Sequence, residues 1–151
     1  MKISKTLTTL GFAAAIAFLL TACAPTVNLE AAPLANDPAC AEVSVRLPDL
    51  IDTQEKRVTN AQATAAWGQP SVVILRCGLE PIDVSTLSCV TATGVDWLVD
   101  DSESPSYRFI TFGRSPATEV IVDSTAIAGV TALDALSSAI KNIEATKTCS
   151  E

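Results

Sequence analysis

The order of residue types over the first 23 positions fixes which part of this chain has to fold and in which compartment it does so. Lys2 and Lys5 make a positive start, Leu10 to Leu20 is apolar and uncharged, and Leu20-Thr21-Ala22 leads into Cys23. A basic, then apolar, then small-residue order is that of a secretory signal segment, removed from the mature protein. The alternative, a retained anchor, needs about 20 apolar residues to cross a bilayer, more than this stretch offers. A cysteine directly after Leu-Thr-Ala reads as the lipoprotein form of the signal. In that form the Cys23 sulfur is diacylated and cleavage leaves Cys23 as the first mature residue. Each buried methylene of an acyl chain adds about 0.8 kcal/mol, so two or three chains hold a domain firmly on a membrane. The expected organisation is a lipoprotein signal peptide over 1–22, a lipid-anchored flexible tether over 23–37 and one domain over 38–149. The domain is expected on the extracytoplasmic face of the cell membrane, held through Cys23.

Composition then narrows the chemistry. Removing residues 1–22 from 151 leaves 129, enough for a single hydrophobic core. Lys2 and Lys5 leave with the signal, which takes the formal charge from -7 to -9. A polyanion is a poor partner for nucleic acid or anionic headgroups, so the acyl group and not electrostatics must hold the membrane. The chain contains no histidine. The commonest general base, the commonest zinc ligand and the usual partner of a serine or cysteine nucleophile are therefore missing. No enzyme activity, no cofactor and no metal are expected. Cys40, Cys77, Cys89 and Cys149 remain after lipidation, an even number in an exported chain, and predict two disulfides. Zinc would call for CxxC-type spacing, which these positions lack.

Residues 24–37 are rich in Ala and Pro, carry no apolar period and hold two acids without a base. Such a segment predicts a loose spacer with a reach of about 20 Å. Asp37-Pro38 offers an N-cap with proline at the first helical position, and Cys40, Val43 and Leu47 fall at helical spacing before Pro48. Val43, Val45 and Leu47 would equally suit a short strand. Ala61 to Trp67 suits a brief helical turn, stopped by Gly68-Gln69-Pro70. The apolar run in Ser71 to Cys77 predicts a central strand covered on both faces. Gly94 to Asp100 alternates, with Val95, Trp97 and Val99 opposite Asp96 and Asp100, and Tyr107–Phe112 and Thr118–Asp123 add strands between turn signals. Thr131 and Asp134 resemble a capping box, and Leu133, Leu136, Ile140 and Ile143 trace the apolar stripe of a helix ending near Thr146. The predicted class is α+β: a small antiparallel meander with N- and C-terminal helices packed on one face.

The chain also carries a distinctive set of short segments. Cys40 with Leu47-Pro48 is followed by Ala66-Trp67-Gly68-Gln69-Pro70 and Ile74-Leu75-Arg76-Cys77-Gly78. Gly94-Val95-Asp96-Trp97-Leu98, Thr111-Phe112-Gly113-Arg114-Ser115-Pro116 and a Leu-Ser-x-Ala-Ile helix complete it. In this combination the chain resembles an actinobacterial family of secreted lipoproteins that carry a domain of unknown function, uncharacterised family 3515. The resemblance covers about residues 38–149 and implies placement, since the family has no established activity. It also bears on the cysteines. Spacing alone pairs Cys77 with Cys89 and Cys40 with Cys149. The resemblance instead implies Cys40 with Cys77, which leaves Cys89 with Cys149, and this second scheme is preferred. Either bridge stabilises by about 2–4 kcal/mol.

Four groups of side chains invite a functional reading. Ser138-x-x-Lys141 matches the serine–lysine motif of acyltransferases, but the companion signatures are missing and a solvated helix face is the simpler account. Asp96, Asp100, Asp101 and Glu103 gather hard oxygens without the spacing of a calcium loop. Arg76 and Arg114 each sit at a strand end beside glycine, where guanidinium groups fork onto a carboxylate or phosphate or else form internal ion pairs. Trp67 and Trp97 suit either a pocket wall or the core. The leading expectation is a non-enzymatic binding or scaffold module of the cell envelope, with an envelope protein or cell-wall partner. The alternative is a module for a small molecule or cell-wall fragment, using Arg76, Arg114 and Trp97.

Overall fold

The computed structural model describes residues 24–149, so the signal segment and the Cys23 acylation site lie outside the described residues. Eight strands follow one another as β1 (Leu50–Ile51), β2 (Gln54–Arg57), β3 (Thr64–Trp67), β4 (Val73–Leu79), β5 (Ser88–Ala92), β6 (Val95–Asp100), β7 (Ser106–Thr111) and β8 (Ala117–Asp123). Helix α1 (Pro38–Ser44) precedes them and α2 (Gly129–Ile140) follows. The sheet order is β1-β2-β3-β4-β8-β7-β6-β5. Every neighbouring pair is antiparallel. Two meanders thus join where β4 pairs with β8, in register from Val73–Val122 to Cys77–Thr118.

Alternate residues of a strand face opposite sides, and this divides the sheet into a face packed on the helices and a more open one, part of which is covered by a smaller buried cluster of Leu98, Ile110 and Ala117. Val73, Leu75 and Cys77 of β4, Val120 and Val122 of β8, Phe109 of β7 and Val95 and Trp97 of β6 form one core with Cys40 and Val43 of α1 and Leu133, Leu136 and Ile140 of α2. Both helices therefore lie on the same face, as the α+β reading requires. Full burial of each such aliphatic side chain contributes about 1.5–3 kcal/mol. Helix α2 touches strands from both margins of the sheet, β1 and β5. Cys40–Cys77 ties α1 to β4, and Cys89–Cys149 ties β5 to the C-terminal segment, each with 5.6 Å between Cα atoms.

Asp37 caps α1, its carboxylate accepting from the Ala39 amide at 2.8 Å, with Pro38 at the first helical position. Several local expectations are corrected. Ala61–Trp67 makes no helical turn: Thr64–Trp67 is strand β3, because burial of Ala65, Ala66 and Trp67 between β2 and β4 outweighs the helical preference of alanine. Strand β4 is covered fully on one face only, since Ile74 and Arg76 are half-buried on the other. The sheet has eight strands, where the sequence reading singled out four. Helix α2 starts at Gly129 with no side-chain cap, and the Asp134 carboxylate accepts from the Thr93 hydroxyl instead of capping. It ends at Ile140, where the Asn142 amide donates to the carbonyls of Ser138 and Ala139 and closes the last turn.

The spacer also differs from its expectation. Val27 bridges to Thr59, with the Val27 amide donating to Val58 O at 2.8 Å and the Asn60 amide to Val27 O at 3.2 Å. Arg57 donates to Pro25 O at 2.6 Å, and the Asn60 side chain accepts from the Leu29 amide at 2.8 Å. Further on, the Leu34 amide donates to Gly78 O at 2.7 Å, and Ala32 and Ala35 are buried. Only glycine fits at 78: its φ is +106°, and a Cβ would stand 2.5 Å from the Leu34 carbonyl carbon. Small alanines and a glycine seat this segment closely, so it packs without an apolar period.

Candidate functional site

The open face of the sheet is built around Glu119, a carboxylate in the middle of the apolar run of β8. Register places Glu119 opposite both Arg76 on β4 and Ile110 on β7, on the face turned away from the helices. Its side chain is 3% exposed, while Arg76 and Arg108 are 32% and 38% exposed. Arg76 Nε donates to Glu119 Oε1 at 2.6 Å, Arg76 Nη2 approaches the same oxygen, and Arg108 Nε donates to Oε2. One buried carboxylate thus meets two nitrogens of Arg76 on one oxygen and one nitrogen of Arg108 on the other, and both arginines remain partly exposed. Asp100 lies close enough to Arg108 to feel its charge, so the second arginine sits between two acids. Hollows of about 180 and 240 Å³ flank Ile121, the first bounded by Arg76 and Glu30, the second by Arg108, Asp100 and Glu103.

The other residues singled out by sequence are placed elsewhere. Arg114 is buried beneath the C-terminal segment, donating to the Ile143 carbonyl, while its backbone bridges to Ala145. Burial pushes its guanidinium below the ordinary arginine range, and the negative charge of Asp96 works against that shift. Trp97 is fully buried on the helix face, edge-on to Phe109 with centroids 6.5 Å apart. Trp67 is equally buried, its indole donating to Pro48 O at 3.0 Å. Arg76, Arg114 and Trp97 therefore do not converge: they occupy the open face, the C-terminal flank and the core. Arg76 follows the internal ion-pair account.

The four acids separate too. Asp96 accepts from the Thr91 hydroxyl and from the Cys149 amide at 2.9 Å, which seats the C-terminal bridge. Asp100 accepts from the hydroxyl and amide of Ser102, and these bonds hold its carboxyl below the usual range, helped by Arg108. Asp101 and Glu103 are exposed. Among the described residues no three acids or cysteines converge on one metal-sized site. Ser138 and Lys141 are both exposed on or just beyond α2. Sequence reasoning missed Glu119 and Arg108. The signal was weak: alternation puts Glu119 on the face opposite Val120 and Val122, where an acid is ordinarily solvated, and only its neighbour Ile121 gives that face an apolar character.

A further feature lies where the chain enters the domain. A groove of about 530 Å³ opens between Ala24 and the β1–β2 hairpin, bordered by Lys56, Val58 and the Gly68-Gln69 turn. Comparison with known proteins identifies the family alone: residues 5–148 match the family described as protein of unknown function (DUF3515). No curated protein and no solved structure matches the chain.

Proposed function

Because the chain belongs to the DUF3515 family, whose description assigns no activity, we propose its role from its own residues: a lipid-anchored, extracytoplasmic, non-enzymatic binding or scaffold module of the cell envelope. Anchoring is supported by the Leu20-Thr21-Ala22-Cys23 signal together with two disulfides in the domain that follows, since such bridges persist in oxidising compartments. The observation that favours a scaffold over a ligand module is the Glu119 triad. It engages Arg76 internally, while Arg114 is held by a backbone carbonyl and Trp97 by the core. Arg114 and Trp97 then offer no free charged or stacking group to a small ligand, and the Arg76 charge is already met by Glu119.

The test has two arms. Cys23→Ala is expected to leave the membrane fraction after a carbonate wash while keeping both bridges; a variant that stays with the membrane contradicts the anchor. Covalent crosslinking in intact cells with the lipidated protein is expected to capture a discrete envelope partner. Saturable binding of a small ligand that depends on Arg76 would instead revive the ligand module.

A further inference from the structure

The docked entry segment sets how far the domain stands from its anchor. A free 14-residue spacer would let the domain roam about 20 Å from the lipid. Instead the chain is fixed from Pro25 onward by the Arg57 bond and from Val27 by the backbone bonds to Val58 and Asn60. Two residues then separate Cys23 from a fixed point of the domain, a reach of at most about 7 Å. The polar layer on each side of a bilayer is itself about 5–7 Å thick. A domain held so closely has to rest on the headgroups, and it does so by the end at which Ala24 arrives.

That end carries exposed aliphatic side chains close to where Ala24 arrives. Val58 is 70% exposed and Leu50, in the hairpin strand β1, is 55% exposed. Lys56, bordering the groove beside Ala24, is exposed and its ammonium has no ion pair among the described residues. Leu50 pairs with Glu55 on one side of the hairpin, and Lys56 and Val58 lie on the other. Exposed aliphatic side chains with a cation beside one of them suit the boundary between headgroups and acyl chains. We propose that the edge formed by the β1–β2 hairpin, with Leu50 on one side and Lys56 and Val58 on the other, is the part by which the lipidated domain lies on the phospholipid surface. The orientation rests on the anchoring reading above. The β5–β6 turn, against which Lys141 packs at Gly94, is then directed away from the bilayer.

The experiment uses the full lipidated chain in phospholipid vesicles brominated at shallow acyl positions. Single tryptophans are added as Val58→Trp, Leu50→Trp and, at the far end, Lys141→Trp. The native Trp67 and Trp97 are fully buried and give a common background. The added emission of Val58→Trp and Leu50→Trp is expected to be largely quenched and that of Lys141→Trp to be retained. If Val58→Trp misfolds, Leu50→Trp carries the same test. Protein that floats with the vesicles but leaves both hairpin tryptophans unquenched, or quenches Lys141→Trp equally, overturns the orientation alone. Protein that fails to float overturns the anchoring reading and this proposal with it.

Discussion

Replacing Glu119 with glutamine leaves shape almost unchanged and removes one negative charge from beneath two arginines. In the native protein Glu119 is 2% exposed and accepts from Arg76 through Oε1 and from Arg108 through Oε2. Hydrogen bonds to charged groups contribute about 1.5–3 kcal/mol each, and breaking a fully buried ion pair costs about 3–5 kcal/mol. Here the arginine side chains are 32% and 38% exposed, so both recover water when the carboxylate is lost. Their rehydration brings the expected loss down to about 2–3 kcal/mol. The amide nitrogen of glutamine also turns a donor toward one arginine, so neither rotamer restores the set. With a urea slope of about 2 kcal/mol/M, the unfolding midpoint of the oxidised protein should fall by about 1 M. A triple variant, Glu119→Leu with Arg76→Met and Arg108→Met, should recover most of that loss, because apolar replacement of a whole buried set is nearly neutral. A Glu119→Gln midpoint within about 0.2 M of wild type would refute the reasoning, since the carboxylate would then be holding nothing.

Three further outcomes follow from the same structure. Gly78→Ala forces a Cβ at φ +106° against the Leu34–Ala35 backbone, costs about 1–3 kcal/mol, and should raise hydrogen exchange at the Val27 and Leu34 amides. Under limiting dithiothreitol, alkylation and mass spectrometry should show Cys89–Cys149 reduced first, because those cysteines are half-buried whereas Cys40 and Cys77 are fully buried. Asp123 accepts from the Thr125 hydroxyl and amide, which holds its carboxyl below 3.8 in the folded protein. A depressed acid stabilises fully above its unfolded value and loses that contribution as pH falls through the folded one. The stability gap between wild type and Asp123→Ala should therefore be constant from pH 7 to about 5 and close below about pH 4, read from urea midpoints.

How much of this was legible in the sequence depended on whether a residue announced its own environment. Val95, Trp97 and Val99 did so by alternation, and Leu133, Leu136 and Ile140 by helical period, so β6 and the buried stripe of α2 were readable. Strand β2, Gln54-Glu55-Lys56-Arg57, is wholly polar and carries no apolar period to betray it. In β3 the alanines favour a helix locally and become strand only because two neighbouring strands bury them. Pairing across long separations was harder still. Arg76 meets Glu119 across 43 residues, and no spacing rule links them before the register of β4 on β8 is known. The entry segment was misread for a related reason: Ala32 and Ala35 are small enough to be buried, Ala35 against Gly78, without forming a pattern.

The central claim is that acyl chains on Cys23 hold a disulfide-stapled domain close to the membrane, and the intact mass of the mature protein from host membranes tests it most directly. The account predicts a chain that begins at Cys23, carries a diacylglyceryl group on that residue and contains both bridges. A chain that retains residues 1–22, or one that begins at another residue and carries no acyl group, contradicts it.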